Sequence, residues 1–212
     1  MSDYAQRERA AVADLLLQVG PDAPTLCAGW TTRDLAAHLV IRERRPDSGA
    51  GIVVPRFAAY TERIRTAKAA QPYERVVEEV RNPPWWSPVS NPLTDELANT
   101  VEFFIHHEDI RRAGSGWTPR TLDEGERQAL WRTARLTARL RLRRLGMPVL
   151  VVAPGVGEQR VGAPSAGSPA VVLSGEPGEL VMFLSGRQRA ARVQVDGPDA
   201  AADRLRTARL GM

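Results

Sequence analysis

The chain has 212 residues and a single cysteine, Cys27. No disulfide can close within it, and a reducing compartment fits that composition. Lys68 is its only lysine, so almost all positive charge sits on arginine. Arginine stays protonated to very high pH, which explains a pI of about 9.9 at a formal net charge of only +4. That balance gives no case for a nucleic-acid partner. Aromatic residues make up 6% of the chain, and none interleave with the arginine-rich stretch Arg132–Arg144, which reads as a solvated helix face. No apolar run approaches the roughly 20 residues of a membrane span. No early apolar stretch suggests a leader either, because Arg7, Glu8 and Arg9 fall where one would begin. The expectation is a cytoplasmic protein with no membrane partner; its oligomeric state is not readable.

Hydrophobic spacing is rich where those features are poor. Residues 3–19 place Val12, Leu15, Leu16 and Val19 on one stripe before Gly20-Pro21. Thr31 with Asp34 three residues later resembles a capping box and opens a helix to about Arg45. Helices are predicted over 56–70 and 73–81. Asn82–Pro92 carries four prolines and must be a loop; its Trp85 and Trp86 pack on the bundle or cover a pocket mouth. Thr94 caps a helix to about Ala113, and a long helix covers 123–145. Composition then changes at Gly146-Met-Pro148. Strands are predicted at 149–152, 170–173 and 192–195, with helices at 177–184 and 199–210. The expected fold class is α+β, a four-helix bundle over residues 1–146 followed by a small α+β domain over 147–212.

The chain has three histidines, and two of them suggest chemistry. Asn99, Glu102, His106 and Asp109 follow one another at helical spacing and share one face. Phe103, Phe104 and Ile110 lie at other angles. A second helix can bring His38 opposite Glu102 and His106, and two imidazoles with one carboxylate around an open position form a common catalytic zinc set. Asp109 is placed to hold the His106 ring from behind; Asp34 either stands in the same relation to His38 or simply serves the helix N-terminus. His107 points about 100° away from His106 and reads as a neighbour rather than a ligand. Cys27 reads as a small buried hydrophobe.

The runs Thr25-Leu-Cys-Ala-Gly-Trp-Thr-Thr-Arg-Asp-Leu-Ala-Ala-His-Leu39 and Glu102-Phe-Phe-Ile-His-His-Glu-Asp-Ile110 together resemble the mycothiol-dependent maleylpyruvate isomerase family. That family belongs to the DinB-like metal-binding bundles, and the chain is most similar to a shorter subgroup described as metal-binding. The resemblance covers nearly the whole chain. It implies a DinB-like bundle, zinc or another divalent metal at His38, Glu102 and His106, and mycothiol as the thiol. It also assigns Arg187, in Phe183-Leu-Ser-Gly-Arg187, a catalytic role in assisting the substrate. Arg42, one turn beyond His38, is a second candidate to clamp a carboxylate. The resulting expectation is a thiol-dependent isomerase or transferase acting on a small electrophile, bound where the two parts meet. A non-catalytic metal-binding or stress-response protein stays open, as does a zinc hydrolase using Asp109 or Glu108 as base.

Overall fold

A computed structural model describes residues 4–44, 58–84, 95–162 and 170–211, and within them the protein is a mixed α+β chain. It divides into two compact units, Met1–Trp117 and Thr118–Met212. No helix among the described residues is long and apolar enough to cross a membrane.

The N-terminal unit carries α1 (Tyr4–Val19), α2 (Thr32–Arg44), α3 (Ala58–Ala69), α4 (Tyr73–Arg81) and α5 (Asp95–Arg111). Four of them share a core: Val12, Ala13 and Leu16 of α1, Leu35, Leu39 and Val40 of α2, Val76, Val77 and Val80 of α4, and Phe103 of α5. The three- and four-residue spacings set these side chains on one face of each helix, where burial of each is worth about 1.5–3 kcal/mol. Val19, expected on the α1 stripe, is exposed instead. The third helix, α3, packs against α2. Gly20, at φ +79°, ends α1, and its N–H closes on the Leu16 carbonyl at 3.1 Å. The same carbonyl accepts the Tyr73 hydroxyl at 2.9 Å. Thr94, Trp85 and Trp86 lie outside the described residues.

The C-terminal unit begins before the expected boundary. Its first helix, α6 (Glu124–Leu142), opens on a full capping box between Asp123 and Glu126. Expected in the bundle, α6 instead presents Leu130, Trp131, Ala134, Ala138 and Leu142 as its buried stripe and packs against α7 (Pro177–Leu184) and strands β1 (Val149–Ala153) and β2 (Gly157–Val161). The compact units therefore divide at residues 117/118 and not at 146/147. A helical stripe specifies which residues are buried and leaves the partner open, so the pattern of α6 fits either unit.

The strand order is β2-β1-β3-β4, where β3 is Val171–Ser174 and β4 is Gln194–Asp196. The β1–β3 pair is parallel and the outer pairs are antiparallel. The last helix, α8, spans Asp199–Arg206. β2 was not expected: its polar sequence Gly-Glu-Gln-Arg-Val carries little strand signal, and the hairpin turn at Gly155 (φ +73°) specifies it. Gly157 is required by packing, because a Cβ there would stand 2.7 Å from the Trp131 indole nitrogen.

Candidate metal centre

The loop between α1 and α2 and two helices build the site. Thr31 precedes α2 and donates its backbone N–H to the Asp34 carboxylate at 2.9 Å, half of a capping box. One turn further on is His38. Its ring packs at 5.2 Å from that of Trp30, which is fixed in turn because its carbonyl accepts the Thr25 hydroxyl at 2.9 Å. The same loop is sewn to α5 by the Leu26 N–H, which donates to the Asp109 carbonyl at 3.0 Å. These contacts bring the His38 face of α2 against the polar face of α5. The His38 and His106 rings meet edge to face at 5.1 Å.

Three donor atoms converge. Glu102 Oε1 lies 3.2 Å from His38 Nε2 and 3.3 Å from His106 Nε2, and all three ligand atoms fall within 4.8 Å of one another. Two ligands bound tetrahedrally to one zinc, each about 2.0–2.1 Å from it, stand about 3.3 Å apart. Both separations match that spacing, so the donor set fits a divalent metal. The Glu102 side chain keeps 26% of its exposure and His38 18%, against 9% for His106. The cluster is therefore more exposed on the Glu102–His38 side than behind His106.

Proton counting supports the same fit. His106 Nδ1 lies 2.9 Å from Asp109 Oδ2 while its Nε2 faces Glu102. A neutral imidazole has only one N–H, so with both nitrogens against carboxylates one would present a lone pair to an anion. The ring must either carry two protons or replace the Nε2 proton by a metal cation. With no metal, burial pushes His106 down, but Asp109, Cys27 and Glu102 outweigh it and hold the imidazolium well above the usual histidine range. Burial likewise pushes Glu102 up, and the bonds from His106 and His38 hold it well below the usual carboxylate range. His38 moves the other way, lowered chiefly by burial with only partial opposition from Glu102. It therefore tends to the neutral form that a metal requires.

The groups behind the cluster were only partly foreseen. Asp109 is fully buried and orients His106 as expected, and the Cys27 thiol donates to the same Asp109 Oδ2 at 3.2 Å. Cys27 thus belongs to the site's support as well as to its apolar edge. No local pattern signals this, because 82 residues separate the pair. Asp34 takes the second of its two expected roles, at the start of α2. Its carboxylate serves Thr31 and Arg65 and does not bond His38. Burial raises its pKa, but those partners outweigh it and lower the group. Arg65 also stacks on Trp30, 4.9 Å from the ring centroid, so Asp34 supports His38 only through that ring.

Arg42 does share the His38 face: its Nη1 donates to Asn99 Oδ1 at 2.5 Å and its Nε lies 3.6 Å from Glu102 Oε1. Arg187 belongs to the C-terminal unit, where it donates to the Ser185 carbonyl at 2.8 Å. His107 pairs with buried Glu8 of α1 at 3.0 Å and takes no part in the cluster. Comparison with protein-family models, curated proteins and solved structures finds no match to this chain.

Proposed function

We propose that the chain binds zinc, or another divalent metal, through His38, Glu102 and His106 on a DinB-like helical bundle, and acts as a thiol-dependent isomerase or transferase on a small electrophile. Mycothiol is the thiol that the sequence resemblance implies, and a reducing, cytoplasmic setting suits a chain whose one cysteine has no second cysteine to pair with. The observation that carries the reading is the shared Glu102 Oε1, 3.2 and 3.3 Å from the two histidine nitrogens. Zinc, when bound, supplies Lewis acidity that favours the anionic form of a coordinated thiol or water near neutral pH.

The chain's own residues do the positioning. Asp109 accepts a hydrogen bond from the Nδ1–H of His106 and so leaves Nε2 with the lone pair to offer a metal. Trp30 packs against the His38 ring and limits its rotation. Arg42 and Glu102 border the more exposed side of the cluster. A hydrolase needs a base within reach of water, and the two carboxylates considered for that role are engaged elsewhere. Glu108 is fully buried between Arg111 and Arg112, and Asp109 is held by His106 and Cys27. That favours an exogenous thiol over a protein base as the source of reactivity.

The test is metal content by elemental mass spectrometry for the wild-type protein, His38→Ala and Glu102→Ala, with circular dichroism to check folding. About one metal ion per chain, lost in both folded variants, is expected for a three-ligand site. Substoichiometric metal that neither substitution changes would overturn the reading. Turnover of a cis-alkene or electrophile that requires added thiol then separates catalysis from a purely metal-binding role.

A further inference from the structure

Arg42 is in an unusual place for a cation. Its side chain is 17% exposed, and its Nε stands 3.6 Å from the very oxygen, Glu102 Oε1, that both histidines face. It is held there by Asn99, a fully buried side chain on the same face of α5, through a 2.5 Å bond. Surface arginines lose conformational entropy when fixed in this way and gain little from a single ion pair. Beside a metal ligand, the position also has an electrostatic consequence. A divalent cation held by one carboxylate and two neutral imidazoles keeps a positive charge, and Arg42 adds another within a few ångströms of the same oxygen. Asp109 offsets part of this charge from behind the His106 ring, fully buried and facing Nδ1. The open side, bounded by His38, Glu102 and Arg42, is left electropositive.

Resting on the proposed metal site, we infer that Arg42 makes its open coordination position selective for an anionic ligand, so that metal and anion bind cooperatively. The ligand class is a small anion, thiolate or carboxylate, whose charge compensates the metal and Arg42 together. A neutral ligand of similar donor strength gains only the bond to the metal. Arg42 is thus a specificity-determining group rather than a metal ligand, and the guanidinium fork gives a carboxylate two N–H groups to accept from. Reciprocity follows: an anion that binds better with metal present also raises the affinity for the metal.

The experiment uses the full chain loaded with Co2+, whose visible absorption reports ligands entering its coordination sphere. Wild type, Arg42→Gln and Arg42→Lys are titrated with azide and, separately, with neutral imidazole at fixed ionic strength, and cobalt content is measured for each. Azide affinity is expected to fall at least about tenfold in Arg42→Gln, a coupling within the range known between linked sites. It should be largely restored in Arg42→Lys, with imidazole affinity unchanged or improved in Arg42→Gln. Equal azide affinity in wild type and Arg42→Gln would overturn the inference, and so would a parallel loss of azide and imidazole binding, which marks a structural role. Failure of wild type to take up cobalt strikes the metal site itself, a result visible before any titration begins.

Discussion

The two units bury different things. In the C-terminal unit every residue of α7 is buried, with Leu180, Met182, Phe183 and Leu184 at its centre, and Glu179 is satisfied by the Arg192 N–H at 2.6 Å. In the N-terminal unit α5 buries Asn99, Thr100, His106, His107, Glu108 and Asp109, and Arg112 just beyond it is buried too. Polar burial is costly unless every group finds a partner. Several of these groups have dedicated partners, His107 with Glu8 and Glu108 with Arg112, as does buried Arg9 of α1 with Glu43 and the Val80 carbonyl. The His38–Glu102–His106 cluster differs from them, because two histidines converge on one Glu102 oxygen and its Glu102–His38 side is partly exposed. What marks the site is convergence without closure, and polar burial alone does not.

Three changes sharpen or break that contrast. The largest energetic effect is expected from Phe183→Ala, about 3–5 kcal/mol of stability lost by transfer and cavity terms. Chemical denaturation should show it while metal content stays unchanged. A loss of metal in this variant would break the separation between an apolar core in one unit and a polar site in the other. Next is Asp109→Ala, which leaves the His106 Nδ1–H without its acceptor. Metal affinity should drop about 10–100-fold, with Asp109→Asn retaining most of it because the amide oxygen still accepts. Competition with a chelator measures both; an unchanged affinity in Asp109→Ala would remove Asp109 from the site.

The smallest effect belongs to a buried polar group away from the cluster. Tyr73→Phe removes the bond to the Leu16 carbonyl, at a cost of about 0.5–1.5 kcal/mol. Burial pushes the Tyr73 hydroxyl up to about 12, above the value near ~10 of an unfolded chain. The folded state therefore keeps a proton that the unfolded state releases. Its contribution is complete below about pH 10 and is lost as pH rises toward about 12. Denaturation midpoints at pH 9 and pH 11 should converge between wild type and Tyr73→Phe; parallel decline in both proteins would sink this assignment.

Much of the fold is legible residue by residue. The predicted helices over 3–19, 73–81 and 177–184 lie within a residue of α1, α4 and α7, because apolar spacing, Gly20-Pro21 and Pro177 mark both their faces and their ends. The strand β2 escaped because a solvent-facing hairpin arm carries mostly polar side chains. The pairing of Asp34 with Arg65 and of Cys27 with Asp109 escaped for another reason: neither partner is local, and a side chain's range of possible bonds is wider than its sequence context.

Composition and periodicity by themselves determined that this is a mixed α+β chain and that Glu102, His106 and Asp109 share one helical face, since a helix repeats every 3.6 residues whatever surrounds it. Only the tertiary structure decided that α6 packs with the sheet, that His38 meets Glu102 across 64 residues of chain, and that Cys27 and Arg42 stand beside the site. The physical reason is common to all three. A helix's pattern states which face must be covered, and the choice of cover is made by shape, charge and hydrogen-bond satisfaction among elements distant in sequence.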